Sequence, residues 1–479
     1  MSESSTGRAT HASVKKSAGW AVLGQVFTNV VRFASNLALT RIFVDDKTAF
    51  GLQALVAGVM QLMQLFTDIG AWVSVVRHER GAEPGFLHTA WTVQLIRGVL
   101  LCAAGLILAP YFADFYEDPA LTFLIRLASF GFLIDALGSA RSMLLRRAAV
   151  LRPLILIDCA SALVGSGTTV WVAWLMHDAV AMVVGGLASG LTRLLLVRML
   201  PGPRDRLAWD RTALHELLRV GAWVFINTML MFLSTQDRLV FGTLVSKDEL
   251  GVYFVAWTIA SVPATVFGGL AHGLLLPLVS AYVAGGGGAA KSVLGARAVL
   301  LALGGWCLAG LSAGGPLIAH FLYPSTYAEL GDLIPLATLS LYLAGVLEQS
   351  RTAVFAALDR YPWTSAGSLT KLAALLITVP IGHAQAGFHG AIVGYAIADV
   401  PRLLVVTFLG RKTGVAGFWQ DVWFVGWFFL STWVGIEARQ LVEAAGWHYG
   451  FGMAAVFVSV TAVWILVAGR HVRAFWRQK

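Results

Sequence analysis

At 479 residues, 57% hydrophobic and only 13% charged, the chain has a mean hydropathy of +0.73. A soluble domain carries about 25% charged residues, so this composition excludes an ordinary soluble enzyme and points to an all-α polytopic membrane protein. The net charge of +9 sits mainly at the ends of apolar segments, which makes it topology information and argues against a nucleic-acid partner. Cys102, Cys159 and Cys307 all lie inside apolar stretches, so neither a disulfide framework nor a metal site is expected.

A polar leader, 1–17, carries Arg8, Lys15 and Lys16 and is expected on the cytoplasmic side. The apolar segment behind it is too long for a signal peptide and contains Arg32, so it stays as a first transmembrane helix. Fourteen segments reach the roughly 20 residues a crossing needs. The first six, at 18–40, 50–75, 86–110, 120–142, 153–176 and 179–199, form an N-lobe over 18–200. A linker at 201–212 precedes the C-lobe, 213–412, with segments at 215–245, 250–272, 292–318, 328–350, 362–382 and 386–409. Two more, at 419–438 and 449–469, fall in the remaining part, 413–479, with a cytoplasmic tail. The seventh is over-long, with an interfacial start near Trp209, and the thirteenth is short and rich in Trp. The Gly285–Gly288 run reads as a flexible link between helices eight and nine.

Lys and Arg set the orientation. One side gathers Arg141, Arg146, Arg147, Arg193, Arg198, Arg411, Lys412, Arg470 and Arg473 with many others, whereas the opposite side holds only Arg41, Lys47, Lys247 and Arg439. Both termini are therefore expected in the cytoplasm, in agreement with the even helix count.

The sequence is weakly self-similar at a separation of roughly 200 to 209 residues. Gln25 answers Asn227, Asn36 answers Arg238, and Phe50-Gly51 answers Leu250-Gly251. Arg152-Pro153 resembles Arg360-Tyr361-Pro362, and Val184-Gly185 aligns with Val393-Gly394. Six helices per repeat give the halves one orientation, about an axis along the membrane normal, with substrate expected between them.

Polar residues inside the apolar segments are the candidate site. Gln25, Asn29, Arg32 and Asn36, spaced four, three and four apart, share one helical face. A guanidinium in lipid is costly, so it normally faces protein or a water-filled cavity. Asn227, Ser234, Asp237 and Arg238 form a second polar set at repeat-equivalent places. Together these two sets line a central cavity or, alternatively, hold the lobes together by hydrogen bonds. Coupling and gating candidates are Gln64 and Asp68 on helix two, Arg97 with Asp135, and Glu348, Lys371 and Asp399. Asp68 has no cation within one turn and is equally readable as a protonatable coupling site, a gate partner or a hydrogen-bonded acid. Glu348 with Arg351, and Asp399 with Arg402, are three apart and able to neutralise each other on one helix, while Asp399 is also the expected counter-ion of Lys371. Arg126 has no evident partner, and Asp158 is placed to snorkel.

No P-loop, HExxH or GxSxG motif is present, and no loop is large enough for an extramembrane catalytic domain. A proton or sodium gradient, the membrane potential or the substrate gradient must then supply the energy, and no cofactor is expected.

Several stretches resemble the polysaccharide transporter (oligosaccharide flippase) family of the multidrug/oligosaccharidyl-lipid/polysaccharide exporter superfamily. They are LALTRIF at Leu37–Phe43, FTDIGAWVSVVR around Asp68, STQDRLVFGTLVSKDELGVYFVAWTIASVPATVF at Ser234–Phe267, and GFHGAIVGYAIADVPRLL at Gly387–Leu404. The resemblance implies a V-shaped pair of six-helix bundles working by alternating access. Its implied cargo is an undecaprenyl-pyrophosphate-linked oligosaccharide moved to the periplasmic leaflet of the inner membrane, with polysaccharide polymerase or export machinery as partners. It also assigns pyrophosphate and sugar contacts to cationic cavity residues, here Arg32 and then Arg238. Independently, guanidinium suits pyrophosphate, and Gln and Asn suit sugar hydroxyls. The alternatives are an ion-coupled multidrug exporter of the same fold, a membrane-embedded glycosyltransferase or polymerase, and a non-transporting assembly scaffold.

Overall fold

The computed structural model describes residues 11–65, 75, 79–148, 150–202, 205–215, 229–230, 232–284, 290–358, 360–413, 417–446 and 449–476. Their regular structure is helical. The chain divides into two compact units, one of residues up to Phe43 with Leu52–Phe232, the other of Val44–Gly51 with Leu233–Lys479. Among the described residues nine helices are long and apolar enough to cross a membrane, or ten with one bent pair. The protein is a multi-pass membrane protein.

In the first unit the helices are α1 (His11–Ile42), α2 (Thr48–Leu65, entered from the second unit), α3 (Pro84–Phe115), α4 (Ala120–Ala136), α5 (Ala140–Arg147), α6 (Arg152–Met176) and α7 (Val180–Met199). Helix α1 begins inside the expected leader, at His11. Segment four breaks after Ala136, and α5 leaves at 60° to α4. Small residues let these helices approach, as they must where lipid removes any hydrophobic drive between them. A Cβ on Gly98 would lie 2.1 Å from that of Ala136, one on Gly105 2.0 Å from Ser129 Oγ, and one on Gly24 2.3 Å from Ile155 Cγ2.

The expected linker is strapped to this unit. Asp205 accepts from the Ala140 amide at 3.0 Å and the Ser139 hydroxyl at 3.1 Å, capping α5. The amides of Ala208 and Asp210 donate to the hydroxyls of Thr92 and Thr89. The two units divide after Phe232.

The second unit holds α8 (Asp237–Phe241), α9 (Lys247–Ala284), α10 (Ala290–Leu322), α11 (Leu330–Leu341), α12 (Gln349–Ala357), α13 (Tyr361–Ile397), α14 (Asp399–Gly410), α15 (Phe418–Ala444) and α16 (Tyr449–Trp476). A π-helical stretch, Tyr342–Glu348, joins α11 to α12. Helix α13 is interrupted at Ala386 and Gly387, where Gly387 takes φ +58°, so two spans meet there as expected. Helices α15 and α16 lie outside the sequence repeat yet belong to this unit's core. Phe424, Phe428, Val456, Val460 and Trp464 pack with Leu301, Leu308 and Tyr342, and the Tyr342 and Phe428 rings stack at 4.5 Å.

Candidate functional site

Within the first unit, the four polar residues of α1 part company. Asn29 and Asn36 are buried, whereas Gln25 and Arg32 are exposed. The Gln25 amide donates to Asn29 Oδ1 at 3.2 Å, so the amides form a ladder beside the open guanidinium. Helical spacing put all four on one stripe, and the edge of the α1–α6 contact at Gly24 and Cys159 cuts across it.

Gln64, Arg97 and Asp135 line one small cavity of about 50 Å³ with Gln94 and Phe132. Arg97 donates to the backbone carbonyl of Gln64 at 2.9 Å, and Gln94 to that of Asp135 at 3.4 Å. Asp158, placed by sequence to snorkel, instead meets Arg193 Nε at 2.9 Å across α6 and α7. Arg126 donates to the Leu106 carbonyl. Asp68 and Asn227 lie outside the described residues.

In the second unit the backbone is not helical between Leu233 and Asp237. The even spacing of Ser234 and Arg238 on one helical face is therefore interrupted. Broken helices near the midplane are common at transporter sites, because freed backbone groups then face a ligand or cavity. Ser234 and Asp237 are buried, and Arg238 is half-buried. Tyr253 donates its hydroxyl to Asp237 Oδ2 at 2.5 Å, and the Arg238 guanidinium lies 4.9 Å from the Phe254 ring centroid, which favours it electrostatically.

The remaining candidates join one buried ionic network. Lys371 Nζ lies 2.9 Å from Asp399 Oδ2, and Arg402 reaches Asp399 Oδ1 at 3.6 Å and Glu348 Oε1 at 2.9 Å. Glu348 thus takes Arg402 from α14, and the expected same-helix partner Arg351 goes elsewhere. Arg351 pairs with Asp421 and the Thr407 hydroxyl, while Arg297 Nη2 meets the other oxygen of Asp421 at 2.5 Å. Sequence reading missed Asp421 and Arg297 as network members. Asp421 lies inside the short Trp-rich segment and Arg297 near the start of the ninth, and neither has a partner at helical spacing to single it out. Charges this deep are tolerable because acids and bases alternate across α10, α12, α13, α14 and α15.

The polysaccharide biosynthesis protein family matches residues 38–330. The lipopolysaccharide biosynthesis protein WzxC of Escherichia coli is 23% identical over 249 residues, covering 51% of this chain and 50% of the relative. The teichuronic acid biosynthesis protein TuaB of Bacillus subtilis is 22% identical over 205 residues, covering 42% of each. The chain therefore spans half or less of the length of these relatives. Among solved structures, the lipid II flippase MurJ in an inward closed conformation superposes with a TM-score of 0.75 at 12% identity, covering 94% of this chain and 99% of that one. An inward-facing multidrug resistance MATE family transporter of the MOP superfamily gives 0.57 at 17% identity, covering 86% and 96%. Likeness at such identity establishes the fold, and the matched span of more than half the chain establishes the family. With the fold of the MOP superfamily transporters, the chain belongs to the polysaccharide biosynthesis protein family.

Proposed function

We propose that the protein is a flippase, moving an undecaprenyl-pyrophosphate-linked oligosaccharide from the cytoplasmic to the periplasmic leaflet of the inner membrane by alternating access. On this reading it makes and breaks no covalent bond, keeps both termini cytoplasmic and delivers its cargo to surface-polysaccharide polymerisation and export. Family membership and the names of the relatives support a polysaccharide role. The observation that carries the head-group assignment is Arg32. It is an exposed guanidinium on an apolar helix, without an ion-pair or hydrogen-bond partner among the described residues. Such a group is expensive in lipid and suited to a polyanionic head group.

On this reading Gln25, Asn29, Arg32 and Asn36 of the first unit meet the head group. The isoprenoid tail stays in the bilayer while the sugar crosses. Glu348, Lys371 and Asp399 are already neutralised by neighbours, so their first duty is to hold the second unit together. The test is reconstitution in liposomes with a fluorescent lipid-linked oligosaccharide and a membrane-impermeant quencher. Protein-dependent movement between leaflets is expected. Export of cationic dyes with no movement of the lipid would favour the multidrug alternative.

A further inference from the structure

Lys371 is wholly buried in α13, midway along a membrane-spanning helix. Its Nζ has a carboxylate oxygen of Asp399 at 2.9 Å on one side and the Tyr395 ring centroid at 4.3 Å on another. The Asp237 carboxylate adds a second attractive charge. An aromatic wall closes the place. Phe241 meets Tyr253, Phe388 and Tyr395 edge-on at 5.1, 5.6 and 6.0 Å, and the Tyr253 hydroxyl holds Asp237. Arg402 is closer to Glu348 than to Asp399, so Lys371 is the nearest cation to Asp399.

We propose that Lys371 is a tethered counter-cation. Its ammonium fills a monovalent-cation position formed by Asp399 and the face of Tyr395, and so makes the second unit independent of dissolved sodium. Removing the amine leaves the Asp399 carboxylate with only its longer contact to Arg402, at 3.6 Å, and empties the place of the ammonium beside the Tyr395 ring. A buried carboxylate that loses its nearest cation is costly, and an aromatic face attracts any small cation. Sodium or lithium entering that space restores what the ammonium supplied. For the transport cycle this means that sodium is not the coupling ion at this position, a statement that rests on the flippase reading. The binding statement stands apart from it.

The experiment is thermal unfolding of the purified full-length protein in detergent, in sodium chloride and in choline chloride at equal ionic strength. The natural protein should show the same midpoint in both salts. Lys371→Ala should unfold at a lower temperature in choline and regain about 2–4 °C in sodium. Lys371→Ser, which also empties the place of the ammonium and offers a hydroxyl oxygen to a cation, should show the same sodium response if the alanine variant does not fold. Lys371→Ala combined with Asp399→Asn should show none, because no carboxylate is left to neutralise. Sodium-specific stabilisation of the natural protein would overturn the proposal, as would a folded Lys371→Ala or Lys371→Ser protein indifferent to sodium. A liposome assay in which the natural protein moves no lipid would defeat the flippase reading and leave the sodium result standing.

Discussion

Gly185 faces Thr169 so closely that a Cβ on the glycine would lie 1.7 Å from the threonine hydroxyl oxygen. A close approach between equivalent residues recurs 209 residues on, where a Cβ on Gly394 would lie 2.3 Å from the backbone oxygen, rather than the hydroxyl, of Thr378. Each pair joins two consecutive antiparallel helices within its own unit, so the weak sequence repeat corresponds to one packing solution used twice. Gly185→Ala and Gly394→Ala should each cost about 1–3 kcal/mol, the usual range for overpacking. Gly186→Ala, with open space around its Cβ, should be close to neutral. Melting midpoints of the three variants in detergent would check this.

A second repeat pair meets within the second unit. A Cβ on Gly51 would lie 2.1 Å from the Lys247 carbonyl oxygen, and one on Gly251 would lie 2.3 Å from that of Lys47. The contact is reciprocal, and Lys47 also reaches Glu329 at 3.7 Å beside the Tyr327 ring. Gly51→Ala and Gly251→Ala should both destabilise. Because they spoil one contact, the double variant should lose less than the sum of the two single losses. Additive losses in a melting series would show that the two glycines act separately.

Asp421 stands between two buried guanidiniums, Arg297 and Arg351. Asp421→Asn leaves both without their carboxylate, and breaking a buried pair of this kind typically costs about 3–5 kcal/mol. Helices α15 and α16 should then loosen from the core around Tyr342 and Trp464, with faster proteolysis after Gly410 than in the natural protein. Unchanged proteolysis and an unchanged melting midpoint would contradict this structural role.

Much of this was legible in the sequence because lipid imposes simple rules. Pro153 and Pro362 follow repeat-equivalent positions, and both occupy the first turn of a long helix, α6 and α13. The charge of Lys371 announced a buried acid, and the acid is Asp399. Periodicity failed where geometry departs from a straight helix or where partners are remote in sequence. The break at Ser234–Gln236 interrupts the second polar stripe, and the π-helical Tyr342–Glu348 shifts the face from which Glu348 meets Arg402. The ties from Arg297 and Arg351 to Asp421 span 124 and 70 residues, beyond any helical spacing rule. The partial burial of the α1 stripe depends on how α6 crosses it, which spacing alone does not encode.

The central claim is that Arg32 meets the anionic head group of a lipid-linked oligosaccharide. It is tested most directly by measuring leaflet-to-leaflet movement of that lipid in liposomes holding natural or Arg32→Ala protein at equal density. Loss of one charge-assisted contact, worth about 1.5–3 kcal/mol, predicts a drop of roughly tenfold or more for Arg32→Ala, with an unchanged melting midpoint. Movement at the natural rate by a folded Arg32→Ala protein would contradict the account.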